Sequence, residues 1–436
     1  MAASISAKFH GLWGHSASAA PPSGPLSHDI EVDVAVIGAG YTGLSTALHL
    51  AESGDVSVAV LEAHDVGFGA SGRNAGLVNA GAWLHPDELP VRLGNKYGER
   101  LLDALGNAPA RVFDIIRRHD IDCHPVENGT LHCAADAAGL ADIRERARQW
   151  QARGVPVRVI DAEETARLVG TSVYRGALLD PRAGTLQPLS YARGLARAAI
   201  AHGAQLYTST AVVIAVHDST GWRLTTSTGY TVRAARVAVA SNTQQLPGPD
   251  AWPEMQSALV RLPYFNVATA PLRPEVLRRI LPERQGAFDT CQVMSSFHVD
   301  AGGRIVYGSV GRVGERPGDG HVQWVRRCLK RLFPELGELP IEFQWYGWID
   351  LTDNHLPRLY QPGPDAWAVY GYNGRGIGPG TVFGRALAQL LLGRQNVEEM
   401  PLPVTQVHPI GFKRLREAFY EQASLGAHLV SKRFYN

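Results

Sequence analysis

The spacing of apolar residues changes twice between residues 33 and 62. A short apolar run over Asp33–Ile37 predicts a buried strand. Four apolar residues then recur at three- and four-residue spacing, which predicts a helix with one apolar face. They are Leu44, Ala47, Leu48 and Ala51. A second apolar run, Val58–Leu61, predicts another buried strand, so the pattern as a whole predicts a βαβ unit.

The turn between this strand and helix is rich in glycine. Gly38 permits a tight turn, Gly40 lets the backbone approach a pyrophosphate, and Gly43 permits close contact between helix and strand. Phosphate charge then lies at the helix N-terminus. Glu62 ends the second strand about 20 residues further on and is placed to accept ribose hydroxyls. The residues predicted to bind a dinucleotide here are Gly38, Gly40, Tyr41, Thr42, Gly43, Glu62 and Ala63.

The segment after the second strand indicates which dinucleotide is bound. A nicotinamide enzyme would normally continue with further βα units, whereas this chain continues with a loop of small residues, Gly67–Gly76. Such a loop approaches a flat ring system closely and offers backbone N–H groups and polar side chains to it. The alternative is a flexible surface loop. The candidate cofactor residues in this region are Gly69, Ala70, Ser71, Arg73, Asn74, Ala75, Gly76 and Leu77.

Two motifs about 300 residues apart carry a family resemblance: Gly-Ala-Ser-Gly-Arg-Asn at 69–74 and Gly-Tyr-Asn-Gly-Arg-Gly-Ile at 371–377. Over nearly its whole length the chain resembles the glycine oxidase, sarcosine oxidase and D-amino-acid oxidase family of FAD-dependent amine oxidoreductases. Within it, the motifs are most similar to those of the γ-glutamylputrescine oxidoreductase and pipecolate oxidase types. The resemblance implies that the second motif lies against the flavin of a bound FAD.

The resemblance also implies further cofactor contacts. The helix after the second motif would aim its positive N-terminus at the pyrimidine oxygen of the flavin and so stabilise the reduced state. The backbone of Val213 corresponds to the position that meets adenine, and a strand end near residue 240 passes close to the cofactor. The residues implied are Val213, Ala240, Ser241, Gly374, Arg375, Gly376 and Ile377.

The expected fold class is α/β (α+β), with a Rossmann-like FAD-binding domain interleaved with an antiparallel-sheet substrate domain. Alternating segments near 262–270, 292–298 and 304–310 predict the antiparallel sheet. The FAD-binding domain is expected to comprise residues 29–85, 181–248 and 346–405, and the substrate domain residues 86–180 and 249–345. Residues 1–28 are expected to form a poorly structured leader, and residues 406–436 a helical tail.

Oxidation of an amine by a flavin needs a neutral amine held with its C–H bond toward the ring. A dry aromatic cavity favours the neutral amine and fixes its position. The candidate wall residues, each of which has core packing as its alternative role, are Trp83, Tyr264, Phe265, Trp345, Tyr346 and Trp348. For a substrate carboxylate the candidates are Arg312 and Arg375, with His355 as a weaker polar one. The alternatives are that Arg375 serves the flavin and that Arg312 is a solvated turn residue.

Three departures from the sarcosine-oxidase branch refine these expectations. The flavin-linking Cys of that branch falls near Tyr346, so we expect FAD to be bound without a covalent bond. Residues 305–308 hold no Lys where that branch keeps one that activates oxygen, so either oxygen or a respiratory carrier is expected to reoxidise the flavin. The carboxylate-binding Lys of that branch falls near Gly378, which argues against sarcosine as the substrate.

The leading hypothesis is an FAD-dependent oxidoreductase that converts an amine or amino acid to an imine. L-Pipecolate is the favoured substrate and γ-glutamylputrescine or another polyamine derivative the next, both by resemblance alone. The alternatives are a nicotinamide-dependent dehydrogenase, a flavin-fused RNA-modifying enzyme and a flavin-binding protein without catalysis. The second motif argues against the first, and the absence of an overall basic charge, with 42 basic and 41 acidic residues, argues against nucleic acid as a partner.

Composition favours a cytoplasmic protein. The four cysteines lack C-x-x-C spacing and are expected to be reduced. Cys123 and Cys133 have histidines nearby, but we interpret this as coincidence and expect no metal. No apolar run is long enough to span a membrane. The tail carries Phe412, Leu415 and Phe419 on one helical face, which predicts a helix docked on its own domain, with weak peripheral membrane contact as the alternative.

Overall fold

The computed structural model describes residues 10–241, 251–314 and 319–430. The first strands are β1 (Ile30–Ile37), β2 (Val58–Leu61), β3 (Leu77–Val78), β4 (Thr130–Cys133), β5 (Arg158–Ile160), β6 (Ala177–Asp180), β7 (Gly184–Thr185), β8 (Gln205–Tyr207) and β9 (Val212–Asp218). The remaining strands are β10 (Gly221–Thr226), β11 (Thr231–Val239), β12 (Val260–Thr269), β13 (Gly286–Asp289), β14 (Ser295–Val299), β15 (Ile305–Val310), β16 (Ile341–Leu351), β17 (Arg358–Gly363) and β18 (Ala366–Tyr370).

The helices alternate with these strands. They are α1 (Leu12–Ser16), α2 (Tyr41–Ala51), α3 (Glu88–Gly106), α4 (Ala108–Arg118), α5 (Ala137–Ala152), α6 (Ala162–Val169), α7 (Pro188–Ala201), α8 (Pro253–Ser257), α9 (Pro274–Leu277), α10 (Gly320–Leu332), α11 (Ile377–Leu391) and α12 (Lys413–Val430). The predicted βαβ unit is present as β1, α2 and β2, with β1 and β2 parallel.

One sheet has the order β17-β18-β11-β1-β2-β8. Its central pairs are parallel, while β9 and β10 extend from β11 as an antiparallel excursion. Helices α2 and α11 pack closely on each other, since a Cβ added at Gly384 would lie 2.6 Å from the Ser45 Cβ and from the Thr42 carbonyl oxygen. The result is a Rossmann-like layer with the βαβ turn at the carboxyl ends of its strands.

A second sheet has the order β16-β12-β15-β14-β13-β4-β6-β5. Its pairs are antiparallel except that of β13 with β4. A core of Phe265, Phe297, Tyr307, Trp324 and Phe333 fills one of its faces. The mixed α/β class with an antiparallel second sheet is therefore confirmed.

The expected domain division needs two corrections. The boundary at residue 346 falls inside β16, which pairs with β12 from Ile341 to Leu351. Helix α4, assigned to the substrate domain, instead packs against α11 and joins the core around α2 through Val112, Phe113 and Ile116. The boundary at residue 346 lies inside a single strand, so the sequence carries no break at that position.

The expectation of a poorly structured leader is wrong for residues 10–28, and residues 1–9 lie outside the described part of the chain. Leu12 and Trp13 in α1 are each 1% exposed. They pack with Leu189, Ala268 and Trp345 in a cluster that also includes Val306. The polar residues around Leu12 and Trp13 give this segment the composition of an unstructured leader, so the sequence did not indicate that the two side chains are buried.

The predicted helical tail is present as α12, up to Val430, but its orientation differs from the expectation. Ser424 and His428 are 3% and 1% exposed and lie on the face that meets the protein. Phe412, which immediately precedes the helix, and Leu415 and Phe419 face outward. In the described ranges, none of the helices combines the length and apolar character needed to cross a membrane.

Candidate active site

A cavity of about 740 Å³ lies between the two sheets. It brings together most of the residues that the sequence singled out, although these residues come from distant segments. The predicted cofactor residues that line it are Gly38, Gly40, Tyr41, Thr42, Glu62, Ala63, Gly69, Ala70, Ser71, Arg73, Asn74, Ala75, Leu77, Ala240, Ser241, Gly374, Gly376 and Ile377. The predicted substrate residues that line it are Trp83, Tyr264, Arg312, Trp345, Tyr346 and Trp348.

The glycine turn has the geometry of a phosphate cradle. Gly38 has a φ of 102°, a conformation that favours glycine. A Cβ at Gly40 would lie 3.0 Å from Ser71 Oγ, and one at Gly43 would lie 1.9 Å from the Gly38 carbonyl oxygen. Gly43 thus allows the helix to pack closely against the turn at Gly38, and it does not line the cavity. The N-terminus of α2 opens at Tyr41, where backbone N–H groups favour an anion.

The carboxylate of Glu62 is fixed at the edge of this cradle. One of its oxygens accepts a hydrogen bond of 2.7 Å from the Ala39 N–H, and the other accepts one of 2.8 Å from the His64 N–H. Burial raises the pKa of Glu62, while these backbone donors partly offset that effect. Its position after β2 is the one at which a dinucleotide-binding fold holds a ribose.

The loop at 67–76 is held by hydrogen bonds from the βαβ unit. Ser71 Oγ accepts from the Tyr41 N–H at 3.1 Å, and the Tyr41 hydroxyl donates to the Ser71 carbonyl oxygen at 2.5 Å. The Asn74 amide donates to the Tyr41 oxygen at 3.1 Å and accepts from the Gly76 N–H at 2.8 Å. Asn74 therefore shapes the loop while it also lines the cavity. Gly76 lies behind this lining, where an added Cβ would be 2.4 Å from the Leu186 carbonyl oxygen.

Two tryptophans that lie far apart in the sequence fix the next part of this loop. Trp345 Nε1 donates to the Arg73 carbonyl oxygen at 3.0 Å, and Trp13 Nε1 donates to the Asn74 carbonyl oxygen at 2.9 Å. The two indoles pack edge to face at 5.5 Å. The Arg73 guanidinium lies 4.5 Å from the centroid of the Phe68 ring, and burial lowers the pKa of Arg73 to about 10. The loop therefore presents a buried, charged guanidinium to the cavity.

Arg375 has a structural position that differs from its predicted contact with substrate or flavin. Its Nη1 donates to the carbonyl oxygens of Ala80, Gly81 and Ala82, and its guanidinium lies 4.2 Å from the Trp83 ring centroid. Burial lowers the pKa of Arg375 to about 9. Arg375 is not among the lining residues, because its guanidinium donates hydrogen bonds to the backbone carbonyl groups that precede Trp83.

A second arginine, which the sequence did not single out, supports the same segment. Arg146 donates to the carbonyl oxygens of Ala82, Trp83 and Leu84 at 3.4, 2.6 and 3.1 Å. Trp83 Nε1 in turn donates to the Asn373 carbonyl oxygen at 2.6 Å. Hydrogen bonds therefore fix both the backbone and the side chain of Trp83.

The substrate sheet forms the aromatic wall. The Tyr264 hydroxyl shares a hydrogen bond of 2.7 Å with Ser296 Oγ, and the Tyr346 and Trp348 rings lie edge to face at 5.9 Å. Phe265 does not belong to this wall, because it is fully buried in the core, with its ring 5.2 Å from that of His321. Because neighbouring residues of a strand point to opposite faces, Phe265 points into the core while Tyr264 points toward the cavity.

Charged side chains gather where the cavity meets the C-terminal helix. The Arg312 guanidinium lies 5.3 Å from the Tyr346 ring centroid, and its side chain is 50% exposed. Arg261, 5.0 Å from the Trp348 ring centroid, also lines the cavity and lies 3.6 Å from Glu417. Asp350, which is 7% exposed, lies directly opposite Arg261 in the β12–β16 pair. Arg261 and Asp350 could not be singled out from the sequence, because only strand register brings them together.

Two other predicted residues lie away from the cavity. His355 is exposed in a turn after β16 with a φ of 58°, so the structure does not support its role toward a substrate carboxylate. Val213 is displaced by one position, since Ala211 and Val212 line the cavity instead.

Cys123, Cys133, His124 and His132, which lie close together in the sequence, do not converge on a ligand set. His132 stacks on Phe288 at 4.4 Å, and burial raises the pKa of Cys123 to about 12, which disfavours a thiolate. In the described ranges, a single group of potential ligands converges: Glu52, His119 and His202, within 4.8 Å of one another. The Arg118 guanidinium lies 2.9 Å from the Glu52 carboxylate, so this carboxylate already has a positively charged partner.

The residues present fit an FAD. The glycine cradle and helix N-terminus suit a pyrophosphate, Glu62 suits a ribose, and the loop at 67–76 with the N-terminus of α11 suits a flat ring. The aromatic wall and the arginines occupy the part of the cavity formed by the substrate sheet. This arrangement can hold a small amine against a flavin and shield it from water.

Comparisons with known proteins agree with this interpretation. The family model DAO, described as FAD dependent oxidoreductase, matches residues 33–390. γ-Glutamylputrescine oxidoreductase of Escherichia coli (strain K12) is 32% identical over 418 residues, which cover 93% of this chain and 96% of the relative. Glycine oxidase from Geobacillus kaustophilus superposes with a TM-score of 0.72 at 23% identity, over 88% of this chain and all of that one.

L-Proline dehydrogenase from P. horikoshii shares the fold with a TM-score of 0.66 at 18% identity, over 87% of this chain and 98% of that one. The match to the family model spans both motifs and the βαβ unit. The chain therefore belongs to the DAO family of FAD-dependent oxidoreductases, and it acts on C–N bonds of amines or amino acids with FAD as its cofactor.

Proposed function

We propose that this enzyme oxidises the terminal primary amine of an aliphatic chain whose other end carries an α-amino acid group, with γ-glutamylputrescine as the substrate. The bacterial γ-glutamylputrescine oxidoreductase, similar along nearly the whole chain, supports this choice. L-Pipecolate, which the sequence favours by resemblance alone, is the second candidate.

One observation carries the proposal. Arg312 lines the cavity while half exposed, and its Nη1 lies 3.9 Å from Oε1 of Glu421 on α12. An α-amino acid group carries a carboxylate and an ammonium on one carbon. Arg312 offers a positive charge to the carboxylate, and Glu421 offers a negative charge to the ammonium. The aromatic wall of Tyr264, Tyr346 and Trp348 suits the aliphatic chain between that group and the reacting amine.

L-Pipecolate would need a different arrangement. Its carboxylate is next to the reacting C–N bond, so a guanidinium deep in the cavity would have to bind it. The buried Arg73 is the candidate for that contact. The two substrates therefore depend on different arginines, Arg312 for γ-glutamylputrescine and Arg73 for L-pipecolate.

The chain contributes mainly position and environment to the reaction. Bound FAD supplies the hydride acceptor. The aromatic wall excludes water and penalises an ammonium, so the amine is held in its neutral form with its lone pair available. The rigid Trp83 segment and the Tyr264–Ser296 hydrogen bond fix the two sides between which the substrate carbon lies. Hydrolysis of the imine product to an aldehyde then needs only water.

The mode of FAD binding and the electron acceptor are further parts of the proposal. FAD is held without a covalent bond, because Tyr346 stands where the sarcosine-oxidase branch has its flavin-linking Cys. Oxygen or a respiratory carrier reoxidises the flavin, and the enzyme works in the cytoplasm. Denaturation in acid would release free FAD from such a protein, whereas a covalent flavin would stay with the chain.

The test is anaerobic mixing of the FAD-loaded enzyme with single compounds while flavin absorbance is followed. We expect rapid bleaching by γ-glutamylputrescine, slower bleaching by putrescine, and little by L-pipecolate, L-proline or sarcosine. Faster bleaching by L-pipecolate would overturn the substrate assignment. A loaded flavin that no amine reduces would support the non-catalytic alternative, and readmitted oxygen would separate an oxidase from a dehydrogenase by the rate at which the colour returns.

A further inference from the structure

Helix α12 packs on the protein through a polar face. Glu417 accepts from the Arg261 N–H at 3.0 Å, and His428 Nδ1 lies 2.7 Å from His321 Nδ1. Ser424 and His428 are almost completely buried. A helix at the surface of a globular protein normally turns its apolar stripe inward. This helix does the opposite.

The outward face carries large apolar side chains. Leu415, Phe419, Leu429 and Val430 are 68%, 65%, 61% and 79% exposed, and Phe412, just before the helix, is 83% exposed. At about 100° per residue, the four helical positions fall within an arc of about 100°. They lie on one side of the helix, with Gln422 and Gly426 between Phe419 and Leu429, and we call them the outer stripe together with Phe412.

The exposed charged residues of α10 and α12 are mostly basic. Arg414 and Arg416 are exposed on α12, whereas Glu417 and Glu421 turn toward the cavity arginines. Helix α10 has no acidic residue in its sequence, and its exposed charges are all basic. They are Arg326, Arg327, Lys330 and Arg331.

Helices α10 and α12 form one surface. The Trp324 indole stacks on the His428 ring at 3.7 Å, and Arg327 Nη2 donates to the His428 carbonyl oxygen at 2.8 Å. A Cβ at Gly320 would lie 3.1 Å from Leu425 Cδ1. The two helices are therefore in contact near the end of α12 that carries Leu429 and Val430, and the exposed basic residues of α10 belong to the same region of the surface, although the whole chain has a formal net charge of only +1.

We propose that this surface docks on an anionic lipid bilayer, with the outer stripe in the headgroup region and the basic residues of α10 and α12 on the lipid phosphates. Interfacial helices combine an apolar Phe and Leu face with flanking Arg and Lys, which is the pattern found here. A second copy of the chain would bring basic residues against basic residues. A nucleic acid would leave the exposed Leu and Val side chains without a partner.

The test uses the FAD-loaded full chain and flotation with two kinds of vesicle, phosphatidylcholine alone and phosphatidylcholine with phosphatidylglycerol. We expect binding to the anionic vesicles, weaker binding to the neutral ones, and partial release by salt. The variant Arg326→Gln/Lys330→Gln/Arg331→Gln should partition about a hundredfold more weakly, since each basic residue contributes about fivefold. The variant Phe412→Ser/Leu415→Ser/Phe419→Ser should lose binding to both kinds of vesicle.

Matched controls remove the same groups elsewhere. Val91→Ser/Ile214→Ser deletes exposed apolar side chains, and Arg111→Gln/Arg144→Gln/Arg278→Gln makes the same change in net charge. Flavin absorbance and the thermal midpoint of each variant report that it is folded. The proposal fails if the native chain ignores anionic vesicles, or if the two test variants bind like their controls. It also fails if sedimentation shows that the outer stripe holds a dimer, or if an oligonucleotide binds in place of the vesicles.

Discussion

Arg312 Nη1 lies 3.9 Å from Glu421 Oε1 and thereby links the end of β15 to helix α12. Both side chains are partly exposed, at 50% and 38%, so water screens the pair and its contribution to stability is small. The separation is wider than a hydrogen bond, which leaves each charge available to an incoming ligand.

The first prediction concerns Arg312. Arg312→Gln should raise KM for γ-glutamylputrescine about 10- to 100-fold, because a charge-assisted hydrogen bond contributes about 1.5–3 kcal/mol. The kcat should change little, since Arg312 does not contact the reacting carbon in the proposed pose. Steady-state kinetics with γ-glutamylputrescine and N-acetylputrescine checks this, because the second compound lacks both charges. An equal loss for both compounds would contradict the role.

Glu62 gives the second prediction. Glu62→Gln removes the negative charge and one acceptor from the ribose position, so FAD should dissociate about 10- to 100-fold more readily. Fluorescence titration of the apoprotein with FAD measures this change. Glu31→Gln, at an exposed position of β1, is the matched control and should bind FAD normally. Unchanged affinity in Glu62→Gln would remove Glu62 from the cofactor site.

Gly43 tests the close contact of helix and strand. In Gly43→Ala the new Cβ would lie 1.9 Å from the Gly38 carbonyl oxygen, which is backbone and cannot rotate away. We expect a loss of about 1–3 kcal/mol or more in the free energy of unfolding, with less FAD retained. Thermal unfolding and the ratio of flavin to protein report both effects. Gly24→Ala, where an added Cβ meets nothing within 4 Å, should leave both unchanged.

Arg375 should respond to a substitution that keeps its charge. Arg375→Lys cannot reproduce the three carbonyl contacts or the stack on Trp83, so we expect a loss of about 2 kcal/mol in the free energy of unfolding. The kcat should also fall, because Trp83 lines the cavity. Arg111→Lys, at an exposed position, is the control for Arg-to-Lys replacement itself. A stable Arg375→Lys with normal kcat would show that the guanidinium is dispensable.

The last prediction is that stability depends on pH through the buried side chain of His298. This side chain is 3% exposed, and burial lowers the pKa of His298 to about 4. Between that value and about 6.5 the unfolded chain binds a proton that the folded chain does not, so the free energy of unfolding falls as the pH falls. The contribution is fully present above about pH 6.5, and about 2–3 kcal/mol of it should be lost by about pH 4.5.

Denaturant unfolding across this pH range measures the effect. His298→Gln should flatten the acid side of the curve, whereas His28→Gln, at an exposed position, should not. Parallel curves for the native chain and His298→Gln would show that this histidine is not the source.

The cofactor side of the site could be predicted because its signals are local. The glycines from Gly38 to Gly43 and the loop at 67–76 each lie within a few residues, and their local pattern predicts a bound dinucleotide. The role of the segment at 371–377 came from the family resemblance. The substrate side could not be predicted in the same way. Arg261 and Asp350 meet only through strand register, and Arg146 reaches the Trp83 segment only through the packing of α5.

The orientation of α12 shows a second reason for failure. An apolar stripe such as Leu415 and Phe419 normally predicts the buried face of a helix. Here the protein surface under the helix offers Arg261, Arg312 and His321, which are satisfied by the acids and the histidine of α12. The pattern within the helix is therefore insufficient, because the polarity of the partner surface decides which face is buried.

The indole N–H groups of Trp13 and Trp345 donate hydrogen bonds to adjacent carbonyl groups of the loop at 67–76, and the two indoles pack against each other. During synthesis the first of these residues leaves the ribosome early and the second only after most of the chain is complete. A contact between such distant residues carries a large loop-closure cost and forms late in folding. The loop at 67–76 therefore reaches its final shape only after Trp345 has been synthesised, and a nascent chain that ends before β16 lacks one of the contacts that hold this loop.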